Sequence, residues 1–509
     1  MVRSALRESW ARLERWPPAA TAAGLAGVYA AVHLFYWALG VRFDDTSLAW
    51  YWQYLDPELL KDKLLESVFY MHSQPPLFNL FLGAVLKIAG GGARYVFQGV
   101  YFGAGLTLYL SLFWLQVKLG VSRGVAFTVS TLFLLSPSFV LYEHWLFYTF
   151  PLAALVTLSA LLFYDVLARR RAGTIAAFFA CIFLMCGIRH TFHLAYYVVV
   201  AGALAAFCAG ARKKVLLVAA APFLLLFSFC FKNYVLFGEF AASTWTGMNL
   251  WQMTSGNLTV GEKASLLVEG KLTDVSLCIP FTALSEYSPS YADASRFADV
   301  EVLSRPYKST GPCNYNHVGY VGISRAYLTD SLYVLKHFPH AYSKGLVRSW
   351  LTYFRSSTDY ASNVAFLDEA GNLGRVSLIT SLFDRLLFGR VPSKPFTKFI
   401  GNIFFSEDEE SFYLYLLVCL PLLLYYGFRT ALGKKTFGEG AAARARRLTV
   451  LYVCFTILYV ALVVNGFSWA ETNRMRFPTD PLYVVLLGLF IQYAVLRGSP
   501  RARAREAGL

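Results

Sequence analysis

Charge is what this 509-residue chain has least of. Only 15% of its residues are Asp, Glu, Lys or Arg, where soluble globular proteins carry about 25%. Acids are scarcest: 31 Asp and Glu stand against 46 Lys and Arg, a formal charge of +15. In a soluble chain that surplus would point to nucleic acid. Here it falls in short clusters between apolar runs, so it reads as topology information and nucleic-acid binding drops out. The eight cysteines show no CxxC and no Cys/His spacing, which excludes zinc and a disulfide scaffold. Cys278 and Cys313 alone stand in a polar region, where an oxidising compartment would allow them to pair. No internal repeat of fixed period is found. No Lys, Arg, Asp or Glu sits at the middle of an apolar run, whereas pumps and ion-coupled transporters usually need one there. What abounds is apolar: 57% of the residues are hydrophobic and 17% aromatic. The chain reads as an α-helical polytopic membrane protein.

Apolar windows of roughly 20 residues fall near 18–40, 75–90, 94–117, 124–141, 145–167, 173–188, 191–209, 215–237, 411–430, 448–466 and 478–497. The first is too long for a signal-peptide core and no small-residue cleavage site follows it, so it reads as a retained span. Counting every window puts the clusters Arg169-Arg170-Arg171 and Arg212-Lys213-Lys214 outside when Arg3, Arg7, Arg12 and Arg15 are inside. The window to discard is 75–90, which opens on Pro75-Pro76, carries Asn79 and Lys87 and ends in Gly90-Gly91-Gly92. Read as an outer interfacial helix, it leaves ten spans with both termini cytoplasmic. The organisation expected is a membrane module over 1–237 with outer interfacial helices at 46–90, a mixed extracytoplasmic domain over 238–410, and three spans with a basic tail over 411–509. Pieces near 341–355 and 375–390 are amphipathic and expected to lie along the bilayer.

This topology gathers the polar residues of interest on the outer face. Asp44 and Asp45 are adjacent carboxylates at the mouth of the bundle, where one can act as general base; alternatively Asp45 or Thr46 caps a helix over 47–70. His72 precedes Ser73-Gln74-Pro75-Pro76-Leu77, and the paired prolines hold extended backbone at the surface. Glu143 lies between Tyr142 and His144, a costly place for an acid without a partner or a task; Arg189 is one candidate partner. Arg189, His190 and Lys232 stand at outer ends of spans. Snorkelling would account for them, but basic residues on this face run against the positive-inside bias and point to an anion. In Trp469-Ala470-Glu471-Thr472-Asn473-Arg474-Met475-Arg476-Phe477-Pro478, two arginines can meet a phosphate.

An acidic pair after the first span, a His/Pro-Pro-Leu-aromatic element, an acid in the second outer loop and an Asn-Arg-x-Arg-Phe-Pro turn together resemble the GT-C superfamily. These are integral-membrane glycosyltransferases that take sugar from a polyprenyl-phosphate donor. The likeness is to bacterial proteins similar to protein O-mannosyltransferases and lipid A aminoarabinose transferases, and it covers 18–240 and the last 40 residues; 238–410 matches none of it. The resemblance implies a bacterial inner-membrane enzyme with Asp44 as base, Asp45 beside it and Glu143 as the second-loop acid. His72, Arg189, His190, Lys232, Glu471, Arg474 and Arg476 are then candidates for holding the donor and its phosphate. His72 is set back from the prolines by two residues, where many relatives have the basic residue adjacent. Some members use a divalent metal and others none, and both remain open. The acceptor would be an envelope glycan, lipid or protein. The competing readings are a lipid or polysaccharide transporter or flippase, which needs a polar path across the bundle, and a non-catalytic scaffold.

Overall fold

A computed structural model describes residues 14–255, 258–359, 370–392, 411–433, 436–468 and 471–496. Arg3, Arg7, Arg12, Trp469-Ala470 and the basic tail beyond 496 lie outside the described residues. The chain is a helical multi-pass membrane protein: among the described residues seven helical stretches are long and apolar enough to cross a bilayer, and an eighth qualifies if two pieces bent by 59° count as one.

In chain order the membrane helices are α1 (Pro18–Ala38), α2 (Leu77–Ala89), α3 (Ala93–Lys118), α4 (Arg123–Leu134), α5 (Pro137–Glu143), α6 (Thr149–Arg169), α7 (Ala172–Ile188), α8 (Leu194–Phe207) and α9 (Arg212–Phe237). After them come α10 (Thr246–Ser255), α11 (Gly319–His337) and α12 (Pro339–Tyr353) of the large polar segment. Then follow α13 (Leu414–Leu432), α14 (Ala441–Phe467), the short α15 (Thr472–Arg476) and α16 (Asp480–Phe490). Helix α1 opens on Pro18, in the first turn, where a missing N–H leaves no bond unmade.

Helical conformation runs unbroken from Leu77 to Lys118 over 42 residues, yet the rings of Phe81 and Phe97 lie 5.6 Å apart. A straight helix would separate them by about 24 Å. The chain therefore doubles back at Gly90–Gly92, where Gly90 takes φ +50°, and α2 packs on the helix Pro57–Asp62. The bent stretch is α4 with α5. Ser136 accepts the Phe139 N–H and Pro137 has no N–H to give, so the expected span over 124–141 breaks and restarts.

Two expectations need correction. The helix expected over 47–70 is three short ones, Ser47–Trp50, Pro57–Asp62 and Leu64–Phe69; Asp56 accepts the Glu58 N–H and thereby starts a new helix. The helix expected from 145 begins only at Thr149, because 144–146 pairs with Asp44.

The segment after α9 builds a second core. Trp245, Met248 and Trp251 pack with Tyr320, Ile323 and Tyr327, and α10 crosses α11 so closely that a Cβ on Gly247 would overlap the Ser324 carbonyl. Four turns of α12 present Ala341, Gly345, Ser349 and Tyr353 to the interior. The expected bilayer-lying piece is thus a strut: Tyr342 donates to the Gly466 carbonyl at 3.0 Å and Ser349 to Asn465 Oδ1 at 2.8 Å, tying the second core to α14. By contrast the helices Ser377–Leu382 and Phe383–Leu387 leave Leu378, Leu382 and Leu386 exposed in one row. Cys278 and Cys313 are free thiols, and Cys278 Sγ donates to the Glu286 carbonyl.

Candidate functional site

The chain leaves α1 and lays Phe43-Asp44 beside the segment joining α5 to α6. The Asp44 N–H donates to the His144 carbonyl at 2.7 Å and the Leu146 N–H to the Asp44 carbonyl at 2.8 Å, a parallel pairing centred on Trp145. Ser47 and Tyr54 both donate to the Leu146 carbonyl at 2.7 Å, so the loop after α1 is fastened to the same strand. Asp44 is 4% exposed. Its Oδ1 accepts the Thr46 N–H at 3.0 Å and the Thr46 hydroxyl at 2.6 Å, so the turn is made by Asp44 rather than by Asp45 or Thr46. Its Oδ2 is buried with no hydrogen-bond partner among the described residues. Leaving such an oxygen dry and unpaired costs about 1–3 kcal/mol or more, which a donor group brought by a substrate would recover. Asp45 is partly exposed, its Oδ1 3.7 Å from Arg94 Nε.

The same joining segment carries cations over its aromatic rings. Arg474 lies 4.8 Å from the centre of Phe147 and Arg189 4.7 Å from that of Tyr148. Arg474 also pairs with Glu471 and reaches Thr149, and Arg189 reaches Thr191 at 3.3 Å. Both arginines line one small void together with Tyr148, whose hydroxyl is buried without a partner among the described residues. Burial first, then the neighbouring Arg189, His193 and Arg474, pushes the His190 pKa well below the ordinary histidine range. Arg476 goes elsewhere: it bonds Asp480 at 2.8 Å, Ser357 at 3.0 Å and the Tyr353 carbonyl. The expectation that the two arginines act as a pair is corrected by geometry. They lie two residues apart on helix α15, and positions so spaced face different sides.

His72 is a latch. Fully buried, it receives the Thr244 hydroxyl at Nδ1 (2.8 Å) and donates from Nε2 to the Asn316 carbonyl (2.9 Å), while Asn316 Oδ1 accepts the His72 and Ser73 N–H groups. Burial, then Lys232, pushes its pKa down to about 3. Lys232 donates to the carbonyls of Phe69 (2.8 Å) and Met71 (2.7 Å). Beside this latch opens a cavity of about 830 Å³ between the Pro75-Pro76 corner and the adjoining parts of α7, α8 and α9, apolar except for His190, His193, Lys232 and a few hydroxyls. His190 faces it and bonds Gln74 Oε1 at 3.1 Å. It links the cavity to the arginines.

Glu143 stands apart from these groups. It is 0% exposed, with Oε1 held by the Tyr29 hydroxyl and Oε2 by His33 Nε2. Its partner is therefore α1 rather than Arg189. Tyr29, His33, Gln74, Tyr148 and Asn316 were not singled out by sequence reasoning. His33 had a signal: it is an imidazole in an otherwise apolar span. Among the described residues no group of three His, Cys, Asp or Glu side chains converges to hold a metal ion. No known family profile, curated protein or solved structure matches the chain.

Proposed function

We propose that this protein is a GT-C-type glycosyltransferase of the bacterial inner membrane, moving a sugar from a polyprenyl-phosphate donor to an acceptor on the outer face. The observation that carries the reading is Asp44: a buried carboxylate with one satisfied oxygen and one that has no partner among the described residues, paired with a strand whose next aromatic residues lie under Arg474 and Arg189. In the transfer, the acceptor hydroxyl gives its proton to Asp44 as its oxygen attacks the anomeric carbon. The bond from that carbon to the phosphate oxygen breaks, and polyprenyl phosphate leaves. Arg189 and Arg474 meet the growing negative charge. The apolar cavity at Pro75-Pro76 takes the first isoprene units, with His190 and Lys232 at its rim. Asp45 stays outside as a half-exposed neighbour of Arg94.

The same reading fixes the topology. Taking α2 as doubled back and α4–α5 as one span leaves eight crossings, and the shorter α7 and α8 bring the total to ten. Both termini and the cluster Arg169 to Arg171 are then cytoplasmic. The test uses purified full-length protein in nanodiscs with a panel of C55 polyprenyl-phosphate sugars, following release of the polyprenyl phosphate. Asp44→Asn is expected to lower turnover by about 10²–10⁴ with insertion and lipid binding intact. Near-wild-type turnover in both Asp44→Asn and Asp45→Asn would overturn the reading.

A further inference from the structure

Glu143 is the most deeply buried acid near the site, and each of its oxygens has a partner within the bundle. His33 Nδ1 faces the Tyr29 carbonyl at 2.8 Å. A carbonyl only accepts, so Nδ1 carries its proton. Nε2 then faces Glu143 Oε2 with a single proton between them, and the Tyr29 hydroxyl donates to Oε1. Each carboxylate oxygen is held by a side chain of α1, and the acid has no exposed surface. An incoming hydroxyl has no access to it, which removes the second-loop acid from direct proton transfer.

Its placement gives it another task. Three helices meet at this point. Tyr29 and His33 come from α1, Glu143 is the last residue of α5, and α3 supplies Gly105, where a Cβ would overlap both the Glu143 carboxylate and the Tyr29 hydroxyl. The rings of His33 and His144 lie 5.9 Å apart, and Phe102 of α3 touches both. The residue after Glu143 is His144, whose carbonyl accepts the Asp44 N–H. The span that precedes Asp44 and the helix that precedes its pairing strand are thus bolted together a single residue from the contact that sets Asp44. Breaking one partner of a buried ion pair is strongly destabilising because the other charge is left uncompensated. The bolt therefore holds α1 and α5 in one relative position.

We infer that Glu143, His33 and Tyr29, accommodated by Gly105, form a positioning unit that sets where the Asp44 carboxylate stands, and that none of them touches substrate. The inference rests on the proposed function only in naming Asp44 as the base. Hydrogen exchange on the full chain in nanodiscs tests it without any reaction. In Glu143→Gln and in His33→Gln, exchange over 43–46 and 144–147 is expected to rise about tenfold, with α6, α7 and the second core unchanged. Gly105→Ala should reproduce the pattern, and Tyr29→Phe should show a weaker form of it. Should Glu143→Gln fail to fold, Tyr29→Phe supplies the comparison. With a C55 polyprenyl-phosphate sugar, turnover should fall at least about tenfold while binding of C55 polyprenyl phosphate stays within about twofold. Unchanged exchange at both segments, or a uniform rise across the bundle, overturns the positioning role. If Asp44→Asn keeps wild-type turnover, the base assignment falls while the exchange data still decide the bolt.

Discussion

Asp44 and His72 occupy comparable places, each in a loop packed against another part of the fold, and each buried. Their polar atoms are treated differently. At His72 both ring nitrogens and the backbone N–H have partners, and the partners come from Thr244 and Asn316 in the polar segment after α9. At Asp44 one oxygen is satisfied by Thr46 and the other by nothing among the described residues. A fully bonded buried group ties pieces of the fold together; a half-bonded one is a place where something else binds. Arg476 is bonded to three groups of the fold, whereas Arg474, paired with Glu471 and reaching Thr149, also borders a void with Arg189 and with a Tyr148 hydroxyl that has no partner among the described residues.

The largest effect that could break this contrast is at Asp44. Its conversion to Asn should shift the unfolding temperature little while removing most turnover; a large loss of stability with turnover retained would reverse the roles of Asp44 and His72. Next, Arg476→Ala should destabilise by about 1–3 kcal/mol, because the partly buried Asp480 carboxylate and the Tyr353 carbonyl lose a charged donor while Asp480 keeps the Ser357 hydroxyl. Arg474→Ala should instead weaken binding of C55 polyprenyl phosphate by about tenfold or more, measured by titration in nanodiscs. Equal thermal shifts in the two variants would erase the distinction. The third effect is acid sensitivity at the latch. The His72 pKa is about 3 in the folded protein, below the ordinary histidine value of about 6.5, so the unfolded chain binds more protons between these limits. The contribution is complete above about pH 6.5 and declines as the pH falls toward about 3, reaching a loss on the order of 2–3 kcal/mol at pH 4.5. Faster hydrogen exchange over 71–74 and 314–317 at pH 4.5 than at pH 7, after correction for intrinsic rates, is the expected result, and His72→Gln should abolish the difference. The smallest effect is a labelling pattern: a cysteine at Gly92 should react with an impermeant reagent from the outer side, and reaction only from the cytoplasm would sink the ten-span arrangement.

Much of the scaffold is legible in the sequence because its signals are local. Apolar length marks the spans, and Pro75-Pro76 with Gly90-Gly91-Gly92 marks a helix that cannot join its neighbour straight. Asp44 is legible too, since two acids at an apolar mouth are conspicuous. What escapes is anything that depends on how one helix is rotated against another. The partner of Glu143 is His33, more than a hundred residues away, and no spacing rule connects them. The strut α12 escaped because its small-residue face, Ala341, Gly345 and Ser349, reads as merely amphipathic until α14 is packed against it. The division between Arg474 and Arg476 was within reach, because a two-residue step on a helix turns a side chain by about 200°.

One consequence of the doubled-back α2 concerns the lipid around it. Its thirteen residues measure about 20 Å along the axis, against a hydrocarbon layer of about 30 Å, so the helix is too short to cross alone and its turn at Gly90 suits one that lies along a single leaflet. With Ile88 86% exposed near that turn, an interfacial α2 would seat its apolar side among the lipid tails of that leaflet only. It would then crowd one leaflet and not the other on the flank where Leu77 walls the cavity.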